Sequence, residues 1–370
     1  MKIDTLQLVN FRNYSQVQLD FSDSINIFLG ENAQGKTNLL ESIYVLALTK
    51  SHRTNQEKEL VNFESKEALL AAKISRRTGN FSIEVKFTTK GRQTKVNHIQ
   101  QKKLSEYIGA MNVILFAPED LEIVKGSPSV RRKFLDMELS QMNPIYLYDL
   151  MEYQKLLKQR NLYFKQMFEK KKALDELYLD ILEEQLAEFG TKVIIARKKF
   201  IEQLSVWAKN VHSTISGNRE ELKLSYLQTV KATDDVLVEN YIKQLKETRS
   251  KDARRFTTSI GPHREDLLFY VNDLYVSRFG SQGQQRTSAL SVKLAEIDLM
   301  KEFTGEYPIL LLDDVMSELD NERQVFLLQA ILGKTQTFVT TTTLDHLKDL
   351  NVPGKIFYVE NGKIINEKTI

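Results

Sequence analysis

The sequence predicts an α/β protein in which a strand-and-helix core, β-rich toward its N-terminal part, is interrupted by a mainly helical insertion. Two patterns carry this reading. Toward both ends, short apolar or alternating runs take turns with helical periods, whereas between about residues 130 and 250 apolar residues recur in steps of three and four. The 370 residues, 42% hydrophobic and 27% charged, suit two or three lobes. A chain of this size buries a large core without covalent staples.

The first stretch opens with Ile3, Leu6, Leu8 and Phe11 in a loosely alternating strand. Ile25–Leu29 is a short apolar strand ending at Gly30, and Thr37–Leu48 is a helix with Leu39, Leu40, Ile43, Leu46 and Ala47 on one side. Residues 81–88 alternate as a half-buried strand, followed by a turn at 90–94. In the insertion, apolar residues from Leu174 fall at 177, 178, 181, 182, 186, 189, 193, 196, 200, 204, 207 and 211. That predicts one long amphipathic helix or a helix pair, with Leu150–Phe168 as the other arm and Trp207 in the core. Ser288–Phe303 is a helix, Tyr307–Leu312 a buried strand, Glu322–Leu332 a helix and Thr337–Thr342 a strand. A hairpin through Asn361-Gly362 closes the chain at 356–366.

Composition excludes several chemistries. There is no cysteine, so there are no disulfides, thiolate metal sites or cysteine nucleophiles, and a reducing, cytoplasmic setting is expected. Five histidines with no HExxH pair argue against a zinc hydrolase. The start lacks the apolar stretch of a signal peptide, and no apolar run approaches the roughly 20 residues that span a bilayer. No membrane partner is expected. Lys+Arg 52 against Asp+Glu 49 gives +3, too balanced to prove a nucleic-acid partner by itself.

Gly30-Glu31-Asn32-Ala33-Gln34-Gly35-Lys36-Thr37 matches GxxxxGK[ST], after an expected strand and at the start of an expected helix, with Asn38 next in line. The glycines let backbone N–H groups wrap phosphate oxygens, and the helix N-terminus adds partial positive charge. Lys36 would reach the β- and γ-phosphates, and the Thr37 hydroxyl would ligate Mg²⁺. Far along the chain, Ile309–Leu312 runs into Asp313 and Asp314. A buried strand that delivers an aspartate to its C-terminal edge is the Walker B arrangement. Asp313 would hold Mg²⁺, and Asp314 would orient or deprotonate the attacking water. Lys36, Asp313 and Asp314 are thus the catalytic candidates. Residues 1–125 and 290–370 are expected to form the core that carries both motifs, lobe I, and 126–289 a mainly helical lobe II ending in the stretch around Ser281.

Phe279–Arg286 contains Ser281, Gln282, Gly283 and Gln284, and Val315–Asp320 follows the acids. These resemble the LSGGQ-like signature and the D-loop of ABC-type ATPase heads, with Gln282 in place of the first signature glycine and with Ser317 and Asp320 in the D-loop. The whole chain resembles the RecF family of bacterial DNA recombination and repair ATPases, relatives of SMC heads. The matching stretches are LVNFRNY at 8–14, GENAQGKTNLLE at 30–41, SHRT at 51–54, FAPEDLEIVKGSPSVRR at 116–132, SIGPHRED at 259–266, GSQGQQRT at 280–287, LLLDDVMSELD at 310–320 and VTTTT at 339–343.

The resemblance implies an ABC-type ATPase head that binds ATP with Mg²⁺ and forms an ATP-dependent homodimer, each signature serine meeting the partner's γ-phosphate. It also implies binding to duplex and gapped DNA, work with RecO and RecR in loading RecA, and hydrolysis as a release switch. A transporter subunit would need a membrane partner and commonly a glutamate after Walker B. Two departures stand out. Glu119 and Asp120 occupy the stretch of the Q-loop glutamine, and Thr341 and Thr342 the place of the switch histidine. Threonine is a poor proton shuttle, and Asp314 replaces a glutamate, so slow hydrolysis is expected.

Arg12 and Asn13 follow the first strand, at a turn that lies near the nucleotide in SMC-like heads; a surface turn is the alternative. Arg53 resembles their arginine loop, with a structural ion pair as the alternative. Candidate DNA contacts are Arg53, Arg131 and Arg132 (with Lys133), Lys170, Lys171 and Lys172, and Lys198 and Lys199 beside Arg197. Lys and Arg contacts to phosphate would make affinity fall with salt. Solvated helix faces are the plain alternative, and base-specific readout is not expected.

Overall fold

The two buried runs that frame the sequence motifs, Ile25–Leu29 and Ile309–Asp313, lie in one parallel sheet with a single strand between them. A computed structural model of the chain describes residues 1–344 and 353–369. It divides into two compact units, Met1–Asp120 with Leu290–Ile370, and Leu121–Ala289.

The first unit opens with β1 (Lys2–Phe11), β2 (Tyr14–Asp20), β3 (Ile25–Leu29), α1 (Lys36–Leu48), β4 (Ala68–Arg76), β5 (Gly79–Thr88), β6 (Gly91–Val96), β7 (Ile99–Gln100) and β8 (Val113–Phe116). The second holds α2 (Leu121–Lys125), α3 (Pro128–Met142), α4 (Pro144–Glu169), α5 (Glu176–Ile215), β9 (Leu222–Leu227), α6 (Leu237–Arg255), β10 (Asp266–Val271), β11 (Leu274–Tyr275) and α7 (Val276–Phe279). The unit boundary falls within α8 (Gln282–Thr304). After it come β12 (Ile309–Asp313), α9 (Val315–Glu318), α10 (Asn321–Ile331), β13 (Thr337–Thr341), β14 (Gly354–Glu360) and β15 (Lys363–Thr369).

The central sheet runs β15-β14-β3-β13-β12-β8 and is parallel except for the β14–β15 hairpin. Its inner strands β3, β13 and β12 are buried without alternation because both faces are covered. Phe21, Phe28, Phe338 and Phe357 form an aromatic cluster against it, with ring centroids 4.8–6.3 Å apart. Helix α1 is buried on nearly every side, as expected of a helix apolar all round. A second, antiparallel sheet runs β2-β1-β4-β5-β6-β7. There the period-2 pattern buries Leu70, Ala72 and Ile74 of β4 and Ile83, Val85 and Phe87 of β5.

In the second unit α4 and α5 pair antiparallel: Tyr163 meets Tyr178 at 4.7 Å while Tyr148 meets Phe189 at 6.2 Å. Helix α5 is a single helix of 40 residues. Its buried stripe is Leu179, Leu182, Leu186, Val193, Phe200, Leu204 and Ala208; Leu177 and Ile181, read as part of the stripe, are exposed, and Trp207 is half-buried. The stripe also carries Glu183, fully buried because Arg160 and Arg249 bond it. Paired charges of this kind sit on the apolar face without an apolar signal. Three elements differ from the sequence reading. The boundary expected at residue 125 falls at Asp120, because α2 packs on α3 and α7. Strand β9, within the expected helical stretch, joins a three-stranded sheet β11-β10-β9. Helix α8 begins at Gln282 rather than Ser288, because Ser281 caps it.

Candidate active site

The phosphate loop leaves the C-terminal edge of β3, and β12 delivers its aspartate one strand away, beyond β13. Such an edge is where open parallel sheets take ligands. Gly35 sits at φ 113 immediately before α1, and a Cβ there would lie 2.6 Å from Asn13 Nδ2. Gly30 is equally constrained, since a Cβ would lie 2.3 Å from the Val359 carbonyl oxygen. The loop is braced from outside: Tyr14 OH donates to Gly35 O at 3.0 Å, Gly362 N to Gln34 O at 2.9 Å and Asn361 N to Gln34 Oε1 at 2.8 Å.

Inside the loop, Lys36 Nζ donates to Gly30 O and Glu31 O, each at 2.7 Å. Burial lowers the Lys36 pKa, while Asp314 and Asp313 oppose that shift. The Thr37 hydroxyl donates to Asp313 Oδ1 at 2.9 Å, joining residues 276 positions apart. Asp314 takes the left-handed conformation, φ 53, which aspartate tolerates better than most side chains. Asn32, Ala33, Gly35, Lys36, Thr37 and Asn38 line one side of a pocket of about 360 Å³; Arg53, Asp314 and Thr340 complete it. A hydroxyl and a carboxylate meeting at hydrogen-bond distance are the hard oxygen donors Mg²⁺ takes when substrate phosphates and water supply the rest. No group of three or more His, Asp or Glu residues that could hold a metal occurs among the described residues.

Thr340 was not anticipated. Its hydroxyl donates to Asp313 Oδ1 at 2.7 Å and accepts the Asp314 N–H at 2.9 Å. The residues considered in its place behave otherwise: Thr341 Oγ1 donates to Thr343 O at 2.8 Å, and Thr342 is exposed. Strand alternation turns 340 and 341 to opposite faces. A hydroxyl at the C-terminal end of a buried strand was the available signal.

Arg12 directs its guanidinium to the fully buried Glu41 (2.8 and 2.9 Å) and to Glu59 O. Glu41 also accepts from Ser51 Oγ and lies 3.6 Å from Arg53. Arg53 Nη1 donates to Asn38 Oδ1 at 2.8 Å, and Asn38 Nδ2 to Asn13 Oδ1 at 2.8 Å, so this polar chain ends at the pocket. Glu119 is exposed; Asp120 accepts from Ala117 N, and burial pushes its carboxyl up to about 6. Asp320 caps α10 by accepting from Arg323 N at 3.0 Å, and Ser317 Oγ donates to Asp314 O at 2.8 Å. Ser281, Gln282 and Gly283 are exposed at the start of α8.

The basic runs separate by environment. Arg131 is only 2% exposed and forms a two-pronged pair with Asp266 at 2.7 and 2.8 Å. This corrects its reading as a DNA contact, because a guanidinium so enclosed has no face for phosphate. Arg197 is likewise buried, against Asp136, Tyr146 and the Pro262 carbonyl. Arg132 donates to Glu265 O, and Lys198 pairs with Asp234 at 3.0 Å. Lys170, Lys171, Lys172 and Lys199 are exposed, while Lys198 is half-buried.

A phosphate loop at the sheet edge, an aspartate pair one strand across and a separate signature helix define an ABC-type ATPase head. The model for the RecF/RecN/SMC N-terminal domain matches residues 2–365. DNA replication and repair protein RecF of Enterococcus faecalis is 58% identical over 98% of each chain. That of Lactococcus lactis subsp. cremoris strain MG1363 is 51% identical over the full length of both. A solved structure of the recombination mediator protein RecF-ATPrS in the RecFOR pathway, 34% identical, superposes with a TM-score of 0.90 over 98% of this chain and 97% of that one. An Smc head bound to the C-terminal winged-helix domain of ScpA, 16% identical with a TM-score of 0.57, shares the fold. The chain belongs to the RecF family of DNA replication and repair proteins. No helix among the described residues is long and apolar enough to cross a membrane.

Proposed function

We propose that this chain is an ATP-gated DNA-binding switch of recombinational repair. It dimerises on ATP, engages duplex and gapped DNA, acts with RecO and RecR to aid RecA loading, and resets by slow hydrolysis. The observation that supports this best is the convergence of Lys36, Thr37, Asp313 and Asp314 on one pocket, while Ser281 stands exposed on a separate helix start. A serine presented to solvent at a helix start suits completion of a nucleotide site on a second copy.

Each residue then has a task. The loop N–H groups and the Lys36 ammonium bind phosphate oxygens, Lys36 exchanging its two carbonyl partners for them. Thr37 and Asp313 would hold Mg²⁺, which supplies Lewis-acid polarisation of the phosphate oxygens. Asp314 orients the attacking water from the pocket edge and is a weaker proton acceptor than the usual glutamate, which suits a timer more than a motor. The partner's Ser281 donates to the γ-phosphate, so loss of that phosphate loosens the dimer.

The test is fluorescence anisotropy on a gapped duplex at fixed salt, with ATP and then ADP, alongside sedimentation of Ser281→Arg. Tight binding with ATP, weak binding with ADP and a monomeric Ser281→Arg that still binds ATP are expected. Nucleotide-indifferent DNA binding would remove the gating, and normal dimerisation of Ser281→Arg would sink the shared site.

A further inference from the structure

The signature stretch is held by a network that reaches beyond the motif. Ser281 Oγ accepts the Gln284 N–H at 3.2 Å, and Gln284 Oε1 accepts the Ser281 N–H at 2.9 Å, a reciprocal cap on α8. Because Ser281 Oγ is engaged as an acceptor, its hydroxyl proton is left to donate. The other end of the Gln284 amide, Nε2, donates to Glu220 Oε1 at 2.9 Å. The second carboxylate oxygen of Glu220 meets His212 Nε2 at 3.3 Å, and the His212 side chain is fully buried. A carboxylate only accepts, so His212 Nε2 carries the hydrogen.

Glu220 is itself placed firmly. It sits in the turn between α5 and β9, where its N–H is donated to Ser216 Oγ at 3.3 Å. The next residue, Glu221, donates its N–H to Asn272 Oδ1 at 2.9 Å and accepts the Asn272 N–H at its carbonyl oxygen at 3.1 Å. A side-chain amide left alone can turn over, and turning over would set Gln284 Nε2 against the Ser281 N–H and break the cap. An acceptor-only group opposite Nε2 forbids this.

We infer that Glu220, anchored on His212, is a positioning residue of the signature motif: it fixes the orientation of the Gln284 amide and through it the donor face that Ser281 offers a second copy's nucleotide. The inference rests on the shared-site reading above. Glu220 touches no phosphate in this scheme; it acts through Gln284. Polar groups held in advance toward developing charge are the kind on which nucleotide-bridged association depends.

The test compares Glu220→Ala, Glu220→Gln and Ser281→Arg by sedimentation with ATP, with ATP affinity of the monomer and melting temperature measured in parallel. Glu220→Ala should weaken ATP-dependent dimerisation by about tenfold or more, with monomer ATP affinity unchanged. Glu220→Gln keeps an acceptor for Gln284 Nε2 but turns its own amide N–H toward His212 Nε2, so it should lose less dimerisation than Glu220→Ala. A lowered melting temperature with unaltered dimerisation would mark Glu220 as merely structural and overturn the inference, and so would equal losses in Glu220→Ala and Glu220→Gln. If Glu220→Ala dimerises normally while Ser281→Arg does not, the inference falls and the shared site stands; if Ser281→Arg dimerises normally, both fall. Should Glu220→Ala not fold, the swap decides. Gln284→Glu sets two carboxylates together and should lose dimerisation, and Glu220→Gln/Gln284→Glu should regain it. Failure to regain it overturns the inference.

Discussion

Thr340 bonds Asp313 through its hydroxyl at 2.7 Å while the same oxygen receives the Asp314 N–H at 2.9 Å. One buried hydroxyl thus fixes the carboxylate that meets Thr37 and the backbone of the acid next to it. Thr340→Val keeps the shape and strand preference but leaves a part-buried N–H without its acceptor and the buried Asp313 carboxylate without one of its donors. The cost to stability should be about 1–3 kcal/mol. Because Asp314 then loses its brace, the hydrolysis rate should fall by about tenfold, a change of about 1.4 kcal/mol in the barrier. ATP affinity, set chiefly by the loop and Lys36, should move much less. Urea unfolding, a binding titration and single-turnover hydrolysis separate the three effects; an unchanged rate would deny Thr340 this role.

Arg131 and the run Lys170-Lys171-Lys172 make opposite predictions from similar sequence. Truncating Arg131 to Ala strands the buried carboxylate of Asp266, and removing one partner of such a pair costs about 3–5 kcal/mol. Replacing the three lysines with alanine should leave the urea midpoint nearly unmoved, because all three are exposed. If they meet phosphate, the dependence of log affinity on log salt should flatten by about one unit of slope for each phosphate that a lysine had neutralised. An unaltered slope would assign the run to a solvated face.

Legibility followed how local each signal was. Gly30–Thr37 could be read because eight consecutive residues carry the whole chemistry, and Asp313 because an apolar strand leads to it. Glu41, Arg12 and Ser51 could not be read as a unit: a carboxylate within a helix looks solvated until the chain brings its partners from 29 positions upstream and 10 downstream. Arg131 failed for the same reason, its partner being 135 positions away. Strand β9 alternates as Leu222, Leu224 and Tyr226, a visible pattern that was submerged in the long helical period before it. The start of α8 was missed because apolar periodicity begins later than the cap that nucleates the helix.

Gly190 reverses an ordinary expectation. In the interior of a helix, alanine in place of glycine gains about 1 kcal/mol. At this position a Cβ would lie 2.6 Å from Tyr241 Cε1 and 3.1 Å from Tyr153 Cε2, both rings being buried. Such overpacking costs about 1–3 kcal/mol, which cancels or exceeds the gain. Gly190→Ala should therefore be neutral to destabilising by urea unfolding, and a clear stabilisation would mean that the two tyrosines yield easily. Tyr241→Phe, which leaves the ring in place, should not relieve the clash, whereas Tyr241→Leu should.

His263 provides a pH test with a determined sign. Its Nε2 lies 2.9 Å from the Thr258 carbonyl, which only accepts, so Nε2 carries the hydrogen and Nδ1 accepts from Tyr153 OH at 2.6 Å. A second proton would set two donors against each other. Burial, opposed by the Thr258 bond and aided by Arg264 and Arg132, lowers the pKa from 6.5 to about 4. The unfolded chain therefore binds this proton first as pH falls. The stabilising contribution is complete above about pH 6.5 and is lost progressively toward pH 4, on the order of 3 kcal/mol across the window. Burial also raises the carboxyls of Asp120, to about 6, and of Asp149 and Glu265, and those act in the opposite sense, being stabilising at low pH. The raw stability curve mixes both. Subtracting the pH dependence of His263→Gln from that of the parent isolates the histidine, and the difference should rise between pH 4 and 6.5 and then level off. A flat difference, or a His263 Cε1–H resonance titrating near pH 6.5 in the folded protein, would show that Nδ1 is free to take a proton and that the bond to Tyr153 does not hold it neutral.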